Sequence, residues 1–288
     1  MSGSSGPESA SSAARPTLAS EHEVFAPLGR RAVCVTARRR VGAYLVLQCC
    51  DDQGPRPRAG QFYMIAAVQR WGGGVSERPY LARAFSVLRA PADGDELEFM
   101  LEDVGPGTNR LSELVAEDEV SLVGPLGNGF AAPRDGRRPL LVGGGVGTAP
   151  LAILQDQLSE GATVLLGYRD AYHALGAGLL FGAKVATDDG TLGSHALVTE
   201  LLEQELDQDT GVEVYACGPP PMLEAVRAIC AARRVPAQLA MESGMACGFG
   251  ACFGCVVPTR DGYLRLCVDG PVIDAARLET ALTPGAGH

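Results

Sequence analysis

The sequence predicts a fold of mixed class, α/β plus all-β: an antiparallel barrel, then a domain on a parallel sheet, then a small C-terminal module. Three observations lead to this prediction. Short β-branched and apolar runs separated by turn residues fill 29–134, which is typical of an antiparallel barrel. Apolar strand patterns alternate with helical patterns over 135–240, as in a parallel sheet covered by helices. Four spaced cysteines occupy 241–280.

Length and composition limit what the chain can be. Its 288 residues suffice for two domains and a small module. The net charge of −10 argues against nucleic acid as a partner, because binding a polyanion requires Lys and Arg to neutralise phosphates. No apolar run approaches the ~20 residues that cross a bilayer, so we expect no membrane segment. The segment 1–28, rich in Ser, Ala, Gly and Pro, is expected to be a disordered tail.

The cysteines indicate the compartment. Nine cysteines without an export signal favour a reducing environment, and we expect the cytoplasm. Five of them lie outside the C-terminal module and are interpreted as small buried apolar side chains: Cys34, Cys49, Cys50, Cys217 and Cys230.

The barrel strands are predicted at 31–37, 43–49, 61–68, 84–88, 97–101 and 119–123, with a helix at 108–115. Along the fourth strand, alternation places Arg83 and Phe85 on one face and Ser86 on the other or at its edge. Such side chains can bind a phosphate and a ring system, but a half-buried strand with a surface arginine explains them equally well. Gly107 and Thr108 begin the helix, where free amides bind phosphate or where Thr108 is only a cap.

In the second unit we predict strands at 139–143, 162–167, 184–187 and 212–217, and helices at 146–158, 195–205 and 220–232. Ligands of such sheets bind beyond the C-terminal strand ends. Gly145 and Gly147, after the first strand, permit close approach of a phosphate to the backbone. The loop 187–190, after the third strand, offers the carboxylates of Asp188 and Asp189 to ribose hydroxyls or forms a type I turn. The loop 216–222 leaves the last strand, and three such loops at one edge predict a dinucleotide site.

The C-terminal cysteines are Cys247, Cys252, Cys255 and Cys267. Their C-x4-C-x2-C spacing with a distal fourth cysteine is that of a plant-type [2Fe–2S] cluster. The intervening glycines permit the tight turns that a loop around a cluster requires. A structural zinc site, which usually shows paired C-x2-C motifs, and disulfides are the alternatives.

Several motifs, taken in order, resemble those of the ferredoxin–NADP reductase superfamily. They are Arg83-Ala-Phe-Ser86, Gly107-Thr108, the loop 143–150 and Cys217-Gly-Pro-Pro-Pro-Met222. Four more resemble the family of dihydroorotate dehydrogenase B electron-transfer subunits: Gly124-Pro-Leu-Gly-Asn-Gly-Phe130, Thr187-Asp-Asp-Gly190, the cysteine run 245–255 and Cys267-Val-Asp-Gly-Pro271. The resemblance covers about 32–274.

The resemblance implies three cofactors, FAD, NAD and a [2Fe–2S] cluster, and the residues that bind them. Those for FAD would be Arg83 at the pyrophosphate, Phe85, Ser86 near the reactive edge of the isoalloxazine, Met100, Leu101, Glu102, Gly107 and Thr108. Those for NAD would be Gly145, Gly147 and Thr148 at the pyrophosphate, Asp188 or Asp189 at the ribose, and Cys217, Gly218 and Met222 near the nicotinamide. The metal ligands would be Cys247, Cys252, Cys255 and Cys267.

The chain departs in three places from the family that it resembles. Ala84 and Phe85 stand where relatives often carry Pro and Tyr, so a phenolic hydrogen bond to the flavin is absent. Val268 stands at a position often filled by Lys. An insertion at 71–80 has no counterpart that we can align.

Nicotinamide exchanges two electrons as a hydride and a [2Fe–2S] cluster exchanges one, so a flavin is needed between them. The resemblance implies an oxidoreductase subunit of pyrimidine biosynthesis, in a heterotetramer with an FMN-containing dihydroorotate dehydrogenase catalytic subunit, and we nominate no catalytic base in this chain. One alternative is the flavin and iron–sulfur subunit of an NAD(P)H-dependent ferredoxin reductase, sulfide dehydrogenase or hydrogenase. Another is a redox sensor or a zinc protein on the same scaffold.

The pyridine nucleotide is expected to be NAD on family grounds. Arg169, after the second strand of the nucleotide unit, would attract a 2′-phosphate, whereas Asp170 would repel it. The isolated His173 and His195 are interpreted as solvated or capping side chains rather than ligands.

Overall fold

The computed structural model describes residues 29–71, 81–92, 95–158 and 161–283. The predicted tail 1–28 and, apart from Trp71, the predicted insertion lie outside the described residues. The described residues form a closed barrel, a seven-stranded sheet and a two-stranded hairpin. The predicted fold class is therefore confirmed.

Six antiparallel strands form the barrel: β1 (Arg31–Val41), β2 (Tyr44–Cys50), β3 (Phe62–Ala67), β4 (Arg83–Arg89), β5 (Glu96–Glu102) and β6 (Glu119–Leu126). They close in the order β1-β2-β5-β4-β3-β6, which leaves no unpaired strand edge. Each predicted run forms a strand, and fully buried side chains such as Val35, Leu47, Phe99 and Leu122 fill the interior.

The barrel helix α1 (Pro106–Ser112) begins and ends earlier than predicted. Proline is preformed for the first helical position, and the Thr108 hydroxyl accepts hydrogen bonds from the backbone N–H groups of Gly105 and Val104, at 3.0 and 2.9 Å. Thr108 therefore lies in the first turn of α1, and its hydroxyl caps the helix by accepting from residues that precede it. From the sequence alone, this role cannot be distinguished from that of the first helical residue.

The remaining strands are β7 (Arg138–Gly144), β8 (Thr163–Tyr168), β9 (Ala183–Thr187), β10 (Ser194–His195), β11 (Val212–Cys217), β12 (Ala237–Ala240), β13 (Val256–Thr259), β14 (Gly262–Arg265) and β15 (Val272–Asp274). The larger sheet has the order β10-β9-β8-β7-β11-β12-β15. All its neighbours are parallel except β12 and β15, which pair antiparallel through Leu239 and Ile273. Strands β13 and β14 form a separate hairpin.

The helices of this part are α2 (Thr148–Gln157), α3 (Ala171–Ala174), α4 (Val198–Gln208) and α5 (Pro220–Arg233). Helix α2 packs against both the sheet and barrel strand β4, so one continuous apolar core runs from the barrel to one face of the sheet. A second core on the other face unites α4 and α5 with Cys255, Leu266 and Leu278 of the C-terminal module 241–280, called the cysteine module. The module is therefore packed onto the sheet.

Two helix predictions need correction. The predicted helix 146–158 is preceded by a 3-10 turn, Gly145–Gly147, and begins only at Thr148. The predicted helix 195–205 begins at Val198, because His195 lies in strand β10 and pairs with Thr187 of β9. The Glu200 carboxylate accepts a hydrogen bond from the N–H of Leu197 at 2.8 Å and fixes that start.

The strand pattern also explains an error about the cysteines. Cys34 and Cys50 are exposed, whereas Cys49, Cys217 and Cys230 are buried. Successive residues of a strand face opposite sides, so when Cys49 enters the barrel core, Cys50 must face outward. The interpretation of all five as buried is wrong for Cys34 and Cys50.

In the described part of the chain, no helix has the length and apolar character needed to cross a bilayer.

Candidate functional site

The barrel, the sheet and the cysteine module meet around a cavity of about 520 Å³, the central cavity. It falls within the size range of small-molecule sites. Predicted site residues in its wall are Phe85, Ser86, Met100, Leu101, Glu102, Thr108 and Cys217. The segment after β12 adds Met241, Glu242, Ser243 and Met245, which the sequence did not predict.

The residues of β4 divide between the wall and its support. Phe85 and Ser86 line the central cavity and lie opposite Tyr63 and Phe62 of β3. Arg83 does not line it, and its Nη1 donates to the carbonyl of Leu81 at 2.6 Å. A Cβ on Gly107 would lie 2.7 Å from Nε of Arg83, so the start of α1 lies directly against this guanidinium. Arg83 and Gly107 are therefore adjacent, as a shared phosphate site requires.

Ser243 supplies an independent sign that the central cavity holds a ligand. Its hydroxyl oxygen is buried and has no hydrogen-bond partner among the described residues. A buried hydroxyl without a partner costs free energy. A ligand with a polar ring edge would satisfy Ser243, so the wall fits a flavin or nicotinamide ring.

A second cavity, of about 420 Å³, lies beyond the C-terminal ends of the parallel strands and is called the strand-end cavity. Of the predicted residues, Gly145, Asp188 and Met222 line it. The loop after β9 was interpreted either as a ribose site or as a turn, and its two aspartates take one role each. Asp188 faces the cavity, whereas Asp189 forms the turn by accepting hydrogen bonds from Thr191 N–H and its hydroxyl at 3.0 and 2.6 Å.

Three other predicted nucleotide residues line neither cavity. Thr148 is fully buried, and its hydroxyl bonds to that of Tyr168 at 2.8 Å. A Cβ on Gly147 would overlap the carbonyl oxygen of Cys217, and one on Gly218 would lie 2.6 Å from Cε of Met222. Gly147 therefore lets the loops after β7 and β11 approach each other, whereas Thr148 ties the start of α2 to β8.

A charged cluster joins the two cavities. Arg169 lines both, and its guanidinium lies 2.8 Å from the Glu102 carboxylate. His173 bridges Glu102 at 3.3 Å and Asp170 at 2.7 Å, and Asp170 also caps α3 by accepting from the N–H of His173. The expectation of a solvated or capping His173 is wrong, because its side chain is largely buried between two carboxylates, whereas His195 is exposed.

The four module cysteines form two pairs. The N–H of Cys267 donates to Sγ of Cys255 at 3.4 Å, and the backbone and thiol of Cys252 hydrogen-bond to the Cys247 thiol. Within the described ranges, no group of three potential ligands is placed to hold a single metal ion. A [2Fe–2S] cluster takes two thiolates on each iron, so a paired arrangement fits it.

Backbone N–H groups surround these sulfurs. Gly250 donates to Sγ of Cys267 at 3.1 Å and Gly254 to Sγ of Cys252 at 3.4 Å. Gly248 and Gly250 have φ of 82° and 84°, which side chains with a Cβ rarely adopt. Burial raises the pKa of the Cys247 thiol, but N–H groups including that of Phe249 outweigh it and lower the pKa to about 6. The loop is thus shaped to stabilise negative sulfur.

Glu242 is the most unusual residue of the central cavity. Burial raises the pKa of its carboxyl to about 7, because a low-dielectric wall disfavours the charged form. Burial likewise raises the pKa of the neighbouring Cys217 thiol well above its usual range. The sequence signal for Glu242 was its position between an apolar run and the cysteine loop, but strand β12, which places it at a strand end, was not predicted.

Comparison with known proteins identifies the module and the chain. Residues 242–279 match the model of the iron–sulfur cluster binding domain of dihydroorotate dehydrogenase B. The chain is 35% identical over 228 residues to the dihydroorotate dehydrogenase B (NAD(+)) electron transfer subunit of Clostridium perfringens, covering 77% of this chain and 87% of that one. It is 33% identical over 250 residues to the subunit of the same name from Caldanaerobacter subterraneus, covering 83% and 94%.

Solved structures agree on the fold. An NADH-dependent reduced ferredoxin–NADP oxidoreductase superposes with a TM-score of 0.73 at 22% identity, covering 88% of this chain and 91% of that one. A ferredoxin reductase of carbazole 1,9a-dioxygenase gives 0.62 at 23% identity, covering 72% and 67%. At the identity and coverage of its curated relatives, this chain belongs to the family of dihydroorotate dehydrogenase B electron transfer subunits.

Proposed function

We propose that this chain carries electrons from dihydroorotate, oxidised on an FMN-containing catalytic subunit, to NAD+, as part of pyrimidine biosynthesis. The observation that carries the proposal is the central cavity, whose wall is built jointly by the barrel, the sheet and the cysteine module. A group bound there lies between the strand-end cavity and the cysteine loop. Family membership supports the same role.

The residues divide this work. When bound, the [2Fe–2S] cluster exchanges single electrons and FAD exchanges them singly or in pairs. We propose that Phe85 packs on the flavin ring, that Ser86 and Ser243 donate hydrogen bonds to it, and that Arg83 beside Gly107 binds its phosphates. Gly145, Asp188 and Met222 would hold NAD in the strand-end cavity. The remaining predicted site residues would support these two sites.

Arg169 bears on the choice of nucleotide. Its guanidinium is paired with Glu102, and Asp170 and Asp188 lie nearby in the same region. A 2′-phosphate would have to displace a carboxylate and approach others, which is unfavourable. These charges support NAD rather than NADP. We also propose a cytoplasmic location, since all the cysteines of the described residues are free thiols, and the boundaries 29–134, 135–240 and 241–280 as functional units.

The catalytic subunit is proposed to dock on the cysteine loop. Cys252 is exposed, whereas Cys255 and Cys267 are buried, so one side of the loop reaches the surface. Phe249 and Phe253 belong to this loop and Tyr263 to the hairpin that follows it, and they expose 46%, 63% and 77% of their area. Exposed aromatic side chains are typical anchors of protein interfaces, and a partner flavin must come close to a single-electron centre.

The proposal is tested by reconstitution. The purified holoprotein is mixed with an FMN-containing dihydroorotate dehydrogenase catalytic subunit, and dihydroorotate-dependent NAD+ reduction is followed. We expect activity only in the mixture. In a Cys252→Ser variant this activity should fall to background, while flavin content and NADH oxidation by a two-electron dye persist, because only the single-electron path is cut.

Cys50→Ser is the matched control, since Cys50 is also an exposed cysteine but lies on the barrel. It should retain the coupled activity. If the chain transferred electrons to ferredoxin and not to or from the catalytic subunit, the proposal would be contradicted and a ferredoxin reductase would be favoured. Zinc in place of iron in the purified protein would contradict it as well.

A further inference from the structure

A third cavity, of about 310 Å³, lies away from both proposed cofactor sites and is called the arginine cavity. Its wall includes Arg137 just before β7, Pro236 just before β12, and the C-terminal end of α5. It therefore opens at the N-terminal ends of the parallel strands, opposite the strand-end cavity. None of its wall residues lines the other two cavities.

Positive charge is concentrated in this cavity although the chain as a whole carries a net charge of −10. The only carboxylate in its wall is that of Asp274. Five arginines line it: Arg134, Arg137, Arg227, Arg234 and Arg260. A cavity lined by one sign of charge focuses the field and concentrates counter-ions. Such an excess in an acidic protein favours an anionic ligand.

Three of the guanidiniums are held in place by neighbours and keep unused donors. Arg227 binds Glu224 through Nε and Nη2 at 2.9 and 2.6 Å, which leaves Nη1. Arg137 uses Nη1 on the carbonyls of Thr210 and Val212, both at 3.0 Å. Arg134 uses Nη2 on Asp274 at 2.7 Å, and its Nε lies 3.7 Å from the Glu213 carboxylate. Each guanidinium has five N–H donors, so donors remain for a ligand.

The other two arginines have no ion pair within the described part of the chain. Arg234 is the C-terminal cap of α5 and adopts the left-handed conformation with φ of 57°. Arg260 lies in the turn between β13 and β14 and is exposed. Their charges are uncompensated and lie at the rim of a cavity whose floor includes Cys230 and Val235.

We propose that the arginine cavity binds a small phosphate-bearing molecule. The planar guanidinium matches phosphate in a bidentate geometry, and several in one cavity suit a diphosphate better than a single charge. The apolar floor accommodates the uncharged part of such a molecule, and the volume lies at the lower end of the range for small-molecule sites. The inference does not depend on the proposed function.

The ligand would join three separate parts of the chain. Arg137 lies between the barrel and the sheet, Arg234 at the end of α5, and Arg260 in the hairpin of the cysteine module. A diphosphate bound by all three would hold the module against the sheet. Since it binds only the folded chain, it would also raise the unfolding temperature.

The test uses pyrophosphate as the probe and the FAD-loaded full chain, by titration calorimetry at constant ionic strength. An Arg234→Gln/Arg260→Gln double variant should bind pyrophosphate at least about tenfold more weakly than the parent. Arg233→Gln is the matched control. Arg233 precedes Arg234 but pairs with Asp207 and does not line the cavity, so its loss should leave binding unchanged.

A second variant tests the same site without removing an arginine. Ala231 is an exposed residue of α5 in the cavity wall, and Ala231→Glu adds a repelling carboxylate that a helix tolerates. It should weaken binding as strongly as the double variant while NADH oxidation by a dye is unchanged. The proposal is overturned if the parent binds no pyrophosphate, or if both cavity variants bind it as the parent does, since pyrophosphate would then occupy the nucleotide loops.

Discussion

At the scale of single residues, the raised pKa of Glu242 predicts how the stability of the folded chain depends on pH. Its carboxyl pKa is raised from 4.5 to about 7, so the folded chain binds this proton more tightly than the unfolded chain. The stabilisation from the protonated form is complete below about pH 4.5 and is lost as the pH rises through 7. A Glu242→Gln variant should therefore gain stability relative to the parent between pH 5 and 8, by about 3 kcal/mol at most.

Thermal unfolding of both proteins at pH 5 and at pH 8 measures this difference. Glu203→Gln is the control, because Glu203 is an exposed carboxylate on α4 and its replacement should have the same effect at both pH values. An advantage of Glu242→Gln that does not change with pH would show that the carboxyl is already ionised at pH 5.

Single residues are also where reasoning from sequence was weakest. Ser243, Glu242 and Arg169 belong to the central cavity, yet none lies in a motif with a distinctive spacing. Each contributes because of where the chain places it: at the end of β12, or beyond β8 and against Glu102 of the barrel. Contacts between distant parts of a chain leave no local pattern to recognise.

At the scale of elements, the close approach of the loops after β7 and β11 depends on Gly147. A Cβ there would overlap the carbonyl oxygen of Cys217, which is backbone and cannot rotate away. Gly147→Ala should cost about 1–3 kcal/mol, lower the unfolding temperature by roughly 2–10 °C and weaken NAD+ binding by about tenfold. Calorimetric unfolding and NAD+ titration measure both effects.

Gly178→Ala is the matched control for this substitution. Nothing lies within 4 Å of a Cβ at Gly178, so the methyl group should be accommodated without loss. If Gly147→Ala unfolds and binds NAD+ like Gly178→Ala, the two loops are less tightly packed than the structure indicates.

The elements themselves were largely predictable, since every barrel strand and β7, β8 and β11 follow from predicted runs of five or more residues and β9 from a run of four. The exceptions are short. Strand β10 has two residues, β15 has three, and β12, β13 and β14 have four each, which is too little length for a period to be read. These short strands form because a neighbouring strand offers hydrogen-bond partners. Since β10 is too short to be recognised from the sequence, His195 was assigned to the helix that follows.

At the scale of the whole molecule, the proposed docking face gives the third prediction. Phe253 exposes 63% of its area beside Cys252, and the guanidinium of Arg265 lies 5.6 Å from its ring centroid. Phe253→Glu should weaken binding of the catalytic subunit by about 2 kcal/mol, roughly thirtyfold. Surface-immobilised binding measurements give this dissociation constant, and the iron content shows that the loop is intact.

Phe181→Glu controls for the general effect of adding a charge in place of an exposed aromatic residue. Phe181 exposes 88% of its area in the loop before β9, away from the cysteine loop, and its replacement should leave the affinity unchanged. Equal affinities for the two variants would place the partner elsewhere. At this scale the order of the motifs along the chain was enough to predict the family, although the motifs line two separate cavities and the loop 124–130 lines neither.

Strand β15 returns to pair with β12 after the cysteine loop, and this has a consequence for how far electrons travel. A carrier on a flexible arm would swing between its donor and its acceptor, and its rate would be limited by that motion. Here the cysteine loop is held at both ends by strands of one sheet, so we expect the fold to set the distances between successive redox centres. A truncation that removes residue 272 and all residues after it would therefore release the cysteine loop. It would also expose the edge of β12, which could then pair with strands of other molecules.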